Sequence, residues 1–86
     1  MSTQAPEPYQ PEVIFTVSQL KEAVFAQIGY RVERTAFWDW RRVLNLTGKP
    51  YYTPVDQYLL TVFGGYVKQG ADLKTALQQT QQELSN

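Results

Sequence analysis

Basic and aromatic residues are concentrated in one stretch of the chain, Arg31–Lys49, which reads RVERTAFWDWRRVLNLTGK. Five of the eight basic residues lie in it, and only Glu33 and Asp39 oppose them. Arginine and lysine neutralise phosphates, and aromatic rings beside them can stack on bases. The stretch therefore indicates a surface for nucleic acid, on a chain whose net charge is zero.

The chain lacks the residue types on which most catalytic and metal centres depend. It contains no cysteine and no histidine, which removes the commonest metal ligands and the commonest general base. No two carboxylates are spaced for acid–base chemistry, and the serines at positions 18 and 85 have no base beside them. The paired glycines at positions 64 and 65 lie in an apolar helical pattern rather than in a phosphate loop. We therefore expect a non-enzyme without a metal or a cofactor.

The composition predicts one small domain that follows a tail. Residues 1–12 contain three prolines and few large apolar groups, so we expect them to be disordered. Residues 13–86 are predicted to form a single domain, since hydrophobic residues make up 43% of the chain. We find neither a secretory signal nor a membrane-length apolar run, and we expect a cytoplasmic protein with no membrane contact.

Capping signals and apolar spacing predict two helices in the first half of the domain. Thr16 begins a capping-box pattern before a predicted helix over Val17–Ile28, which Gly29 ends. The next helix is predicted over residues 33–44, with most of its arginines on a polar face. Residues 47–52 are predicted to form a tight turn flanked by short extended pieces, that is, a β-hairpin.

A third helix is predicted to start after Thr53, because threonine followed by proline is an N-cap signal. Its broad apolar stripe reaches about residue 69 and is interrupted by Gly64 and Gly65. We expect these glycines to permit close packing, with Trp40 as a candidate neighbour.

Asp72 is predicted to cap a fourth helix with a glutamine-rich outer face. The apolar residues of the last two helices that are expected to face the core are Val55, Tyr58, Leu59, Val62, Phe63, Tyr66, Val67, Leu73, Ala76, Leu77 and Leu84.

The order of these elements resembles the MerR-type winged helix-turn-helix, which excisionase-like proteins share. The similarity covers about Phe15–Gln79 and is greatest in YYTPVDQYLLTVFGGYVKQGADLKTAL, residues Tyr51–Leu77. FTVSQLKEA in the first helix and TAFWDWRR in the second are further matches, whereas Lys49 and Pro50 stand where the family's wing usually has an arginine. The resemblance implies a mainly α fold of four helices with a short β-hairpin wing.

The same resemblance implies double-stranded DNA as the partner, and a role as a transcription regulator or recombination accessory factor. The helix around residues 33–44 would enter the major groove, and the wing at 47–52 would follow the adjacent backbone. The residues expected to contact DNA are Arg31, Arg34, Thr35, Trp38, Arg41, Arg42, Lys49 and Tyr51.

A second interpretation stays open, in which the chain is a protein-interaction adaptor on a helix-turn-helix-like scaffold. It would dock through Trp38 and the arginines around it, because exposed tryptophan and arginine are common at protein interfaces. Convergence of the arginines and Lys49 on one face, without opposing carboxylates, would favour DNA. The N-terminal tail and the glutamine-rich helix are candidates for weak self-association.

Overall fold

The computed structural model describes residues 14–85, and this range contains four α-helices. Helix α1 spans Val17–Ile28, α2 spans Arg34–Val43, α3 spans Pro54–Lys68 and α4 spans Leu73–Ser85. Helix α3 is central, since it packs against each of the other three. The predicted mainly α class is confirmed, and the predicted tail over residues 1–12 lies outside the described residues.

Side-chain caps determine where α1 and α3 begin. Thr16 Oγ1 accepts a hydrogen bond from the Gln19 backbone N–H at 3.2 Å, and the Gln19 side chain accepts one from the Thr16 N–H at 3.0 Å. Thr53 and Asp56 make the same reciprocal pair at the start of α3. Gly29 ends α1 in the left-handed conformation, at φ 67°. Each cap was predicted from a few neighbouring residues, and each is confirmed.

Aromatic rings from three helices meet in the core. The ring centroid of Trp40, on α2, lies 6.3 Å from that of Phe25 on α1 and 5.9 Å from that of Phe63 on α3. Both pairs are edge-to-face, the arrangement that the ring quadrupoles favour. A Cβ atom on Gly64 would come within 2.7 Å of Trp40 Cζ3, so glycine at this position permits α3 to approach α2. The predicted close packing is confirmed for Gly64, against Trp40, and is wrong for Gly65, where an added Cβ would meet no heavy atom within 4 Å.

The predicted β-hairpin over residues 47–52 is not found within residues 14–85. Tyr52 instead forms an isolated antiparallel bridge with Phe15, through backbone hydrogen bonds of 2.7 and 2.9 Å. Pro50 has no N–H to donate across a hairpin, and the buried side chains of Leu46 and Tyr52 fix both ends of the segment. The expected wing is therefore an irregular loop that pairs with the segment preceding α1.

Three apolar residues that were predicted to face the core are exposed: Val55, Tyr58 and Leu84. The buried positions of α3 are 56, 60, 63 and 64, which lie on one side of a helix with 3.6 residues per turn. Val55 and Tyr58 fall outside that narrow stripe, and Leu84 lies in the last turn of α4, one residue before its end.

Acidification is expected to weaken the start of α4. The Thr75 backbone N–H donates to Asp72 Oδ1 at 2.8 Å, and this bond lowers the pKa of the Asp72 carboxyl from its usual 3.8. Because the pKa is lower in the folded chain, the cap contributes stability above pH 3.8 and loses it as the pH falls through the lowered folded-state pKa.

Urea unfolding at several pH values checks this expectation. The stability difference between the parent and Asp72→Ala should narrow as the pH falls below the usual aspartate pKa. The variant Asp72→Asn is the control, because its amide oxygen can still cap the helix but does not titrate. A gap between the parent and the alanine variant that stays constant to low pH would contradict the assignment.

Candidate nucleic-acid interface

Four of the residues predicted to contact DNA share the exposed face of α2. Arg34, Trp38 and Arg42 follow one another at intervals of four residues and are all exposed, with Arg34 at the edge of this face nearest the buried residues, and Thr35 lies beside them. The Trp38 side chain is 45% exposed, and the Arg42 guanidinium carbon lies 5.5 Å from the centroid of its ring. The outer face of α2 therefore alternates cations with an accessible aromatic ring.

A carboxylate lies close to one of these cations. Asp39 Oδ1 is 3.7 Å from an Arg42 guanidinium nitrogen, three residues along the same helix. Both side chains are accessible to solvent, and exposed pairs of this kind contribute little energy. Arg42 can therefore exchange this contact for one with a phosphate or a base edge.

Arg41 does not lie on the outer face with Arg42. The residue is only 8% exposed, and its Nη1 donates a hydrogen bond to the Tyr52 hydroxyl at 3.1 Å. Its guanidinium carbon lies 5.6 Å from the centroid of the Phe37 ring and 6.0 Å from that of Tyr52. The sequence placed Arg41 among the solvent-facing arginines, but its helical position is next to the buried Phe37.

Two other predicted contact residues are already paired with carboxylates of the chain. Arg31 Nη2 lies 2.5 Å from Glu22 Oε1, and its guanidinium carbon is 5.3 Å from the centroid of the Phe25 ring. Lys49 Nζ lies 2.7 Å from an oxygen of the buried Asp56. The structure therefore does not bring all the predicted cations together.

Tyr51 lies in the loop that replaces the predicted wing. Its side chain is one of the large exposed apolar groups of residues 14–85, in contrast to the neighbouring Tyr52, which is buried. Lys49, the other predicted contact residue of this loop, is also exposed, but its side chain is held in an ion pair by Asp56.

A pocket between α1 and α2 adds a lysine that the sequence did not single out. The pocket has a volume of about 300 Å³. It is lined by Val17, Ser18, Lys21, Arg34, Phe37 and Arg41. Lys21 is the one cation of an amphipathic helix that also carries Glu22, thirteen residues before Arg34, and no local motif joins it to Arg34. Only the packing of the helices brings them together.

Other site types find no support in the described part of the chain. Between residues 14 and 85, no three acidic, histidine or cysteine side chains are grouped so as to hold a metal ion. No helix in this range has both the length and the apolar composition needed to cross a membrane.

Comparison of the chain with family models, with curated proteins and with solved structures gives no match.

Proposed function

We propose that the chain is a cytoplasmic DNA-binding protein, a transcription regulator or recombination accessory factor, that presents the exposed face of α2 to the major groove. The observation that carries the proposal is the register of Arg34, Trp38 and Arg42 along one exposed side of a ten-residue helix. An α-helix fits the major groove, where a guanidinium can donate two parallel hydrogen bonds to guanine.

The distribution of charge supports binding through a local patch. The chain as a whole is neutral, but Lys21, Arg34 and Arg42 lie on or beside the outer face of α2. The carboxylates of this helix and its N-cap are Asp39 and Glu33. A patch with so few cations contacts few phosphates. The logarithm of the binding constant should therefore fall with the logarithm of the salt concentration at a shallow slope of about −3.

In this proposal α1 and α2 form a helix-turn-helix pair of the MerR-like type. The loop over residues 47–52 takes the position of the wing without being a hairpin. Tyr51 is the side chain of this loop that contacts the DNA backbone, because Lys49 is held by Asp56. Lys49→Ala is accordingly expected to change duplex affinity less than a change on the α2 face.

Duplex binding at several salt concentrations tests the proposal. Labelled random duplex DNA is titrated with the parent and with Trp38→Ala or Arg42→Ala, which we expect to bind at least about fivefold more weakly. Arg42→Ala should also reduce the salt slope by about 1 if it meets a phosphate. Lys74→Ala, at an exposed lysine of α4, removes the same charge elsewhere and should bind like the parent. Absence of binding by the parent at low salt would overturn the proposal.

A protein-interaction adaptor is the second candidate, and one observation favours it. Arg42 already covers Trp38, and both Arg31 and Lys49 are neutralised within the chain, which leaves a mixed aromatic and polar surface typical of interface centres. A parent chain that binds no duplex would favour this candidate, with Trp38 as its central residue.

A further inference from the structure

The pocket between α1 and α2 has a cationic lining. Three of its six lining residues are Lys21, Arg34 and Arg41, and none of the six is acidic. No carboxylate of residues 14–85 lies within ion-pair distance of these three side chains, although Arg31, Arg42 and Lys49 each have one. The pocket thus collects positive charge that the described part of the chain does not balance.

Arg41 is the residue that makes this imbalance costly. It is almost fully buried, and a buried cation requires a counter-charge or a full set of hydrogen bonds. Its Nη1 donates to Tyr52, but its buried Nε has no hydrogen-bond partner among residues 14–85. The faces of two aromatic rings compensate only in part. An anion in the pocket that Arg41 lines would supply the missing counter-charge.

The start of α1 also lines the pocket. Val17 and Ser18 are the first two residues of α1, so their N–H groups have no carbonyl partner within the helix. The Thr16 cap is directed to the N–H of Gln19 and leaves these two amides available. The positive end of the helix dipole favours an anion at the same place.

We propose that this pocket binds one phosphate group. Guanidinium forks and a lysine ammonium suit an anion with several acceptor oxygens, and a phosphate oxyanion offers acceptors to side-chain cations and helix amides together. The group can belong to the DNA backbone or to free inorganic phosphate. The DNA source rests on the proposed function, whereas the free ion requires only the pocket.

Titration of the full chain with inorganic phosphate, followed by two-dimensional NMR at constant ionic strength with chloride as reference, tests the site. We expect saturable shifts of the Val17 and Ser18 amides and of the Arg41 side-chain Nε–Hε signal. Lys21→Gln and Arg34→Gln should fold normally, because Lys21 is half-buried and Arg34 is exposed. Each is expected to weaken phosphate binding about tenfold, the effect of losing one charge-assisted hydrogen bond. Lys74→Gln is the charge-matched control and should bind like the parent. Shifts that match those caused by chloride would overturn the site.

Duplex binding by Lys21→Gln separates the two sources of phosphate. Weaker binding, with a salt dependence whose slope is shallower by about 1, would place a backbone phosphate in the pocket. Saturable binding of inorganic phosphate by a parent that binds no duplex would support the pocket and overturn the proposed function. Duplex binding that is unchanged in Lys21→Gln, together with no phosphate-specific shift, would overturn the pocket and leave the proposed function standing.

Discussion

Replacing Gly64 by alanine is expected to destabilise the chain, although alanine is the better helix former. The new Cβ would lie 2.7 Å from Trp40 Cζ3 and 2.9 Å from Ile28 Cδ1, well inside van der Waals contact. Trp40 cannot simply turn away, because its ring is enclosed by those of Phe25 and Phe63. Overpacking of this kind costs about 1–3 kcal/mol of stability, and the better helix propensity of alanine offsets only about 1 kcal/mol of that cost.

Gly65→Ala is the matched control for this change. It lies one residue further along the same helix, and a Cβ at Gly65 would meet no heavy atom within 4 Å. Only the better helix propensity of alanine relative to glycine then remains, so we expect stabilisation by up to about 1 kcal/mol. Urea unfolding of the parent and both variants should place Gly64→Ala about 1–3 kcal/mol below Gly65→Ala. Equal stabilisation by the two substitutions would mean that α3 does not approach Trp40 as closely as described.

Local signals account for the parts of the fold that the sequence predicted correctly. The caps at Thr16 and Thr53 and the end of α1 at Gly29 depend on residues within one turn of each other, so they can be recognised without knowing the fold. The hairpin prediction failed because Tyr52 pairs with Phe15, a partner thirty-seven residues away that no local pattern indicates. The exposure of Tyr58 likewise depends on which neighbours α3 meets.

The site was predicted less completely, for a related reason. The exposed order of Arg34, Trp38 and Arg42 follows from helical periodicity alone. The burial of Arg41 depends on Tyr52, and the pocket depends on Lys21, which reaches Arg34 only through the packing of α1 and α2. The net charge of a segment can be counted from the sequence, but the packing of the helices decides which of its cations stay available to a partner.

Replacing Tyr52 by phenylalanine is expected to destabilise the chain by about 1–3 kcal/mol, the cost of leaving a buried donor without its partner. The substitution keeps the ring beneath the Arg41 guanidinium and the backbone bridge to Phe15, so it removes only the hydroxyl that accepts from Nη1 at 3.1 Å. The loss should be at the upper end of that range, because the Arg41 Nε already lacks a partner among residues 14–85.

Tyr51→Phe removes the same hydroxyl from the adjacent residue and is the control. The Tyr51 side chain is exposed, so the change should alter the free energy of unfolding by no more than about 0.5 kcal/mol. Chemical denaturation of both variants measures the difference. If Tyr52→Phe is as stable as the parent, Arg41 must satisfy its donors from solvent, and its burial then requires no anion in the pocket. If it is less stable, added phosphate should stabilise the parent more than Tyr52→Phe, since the hydroxyl holds Arg41 at the pocket.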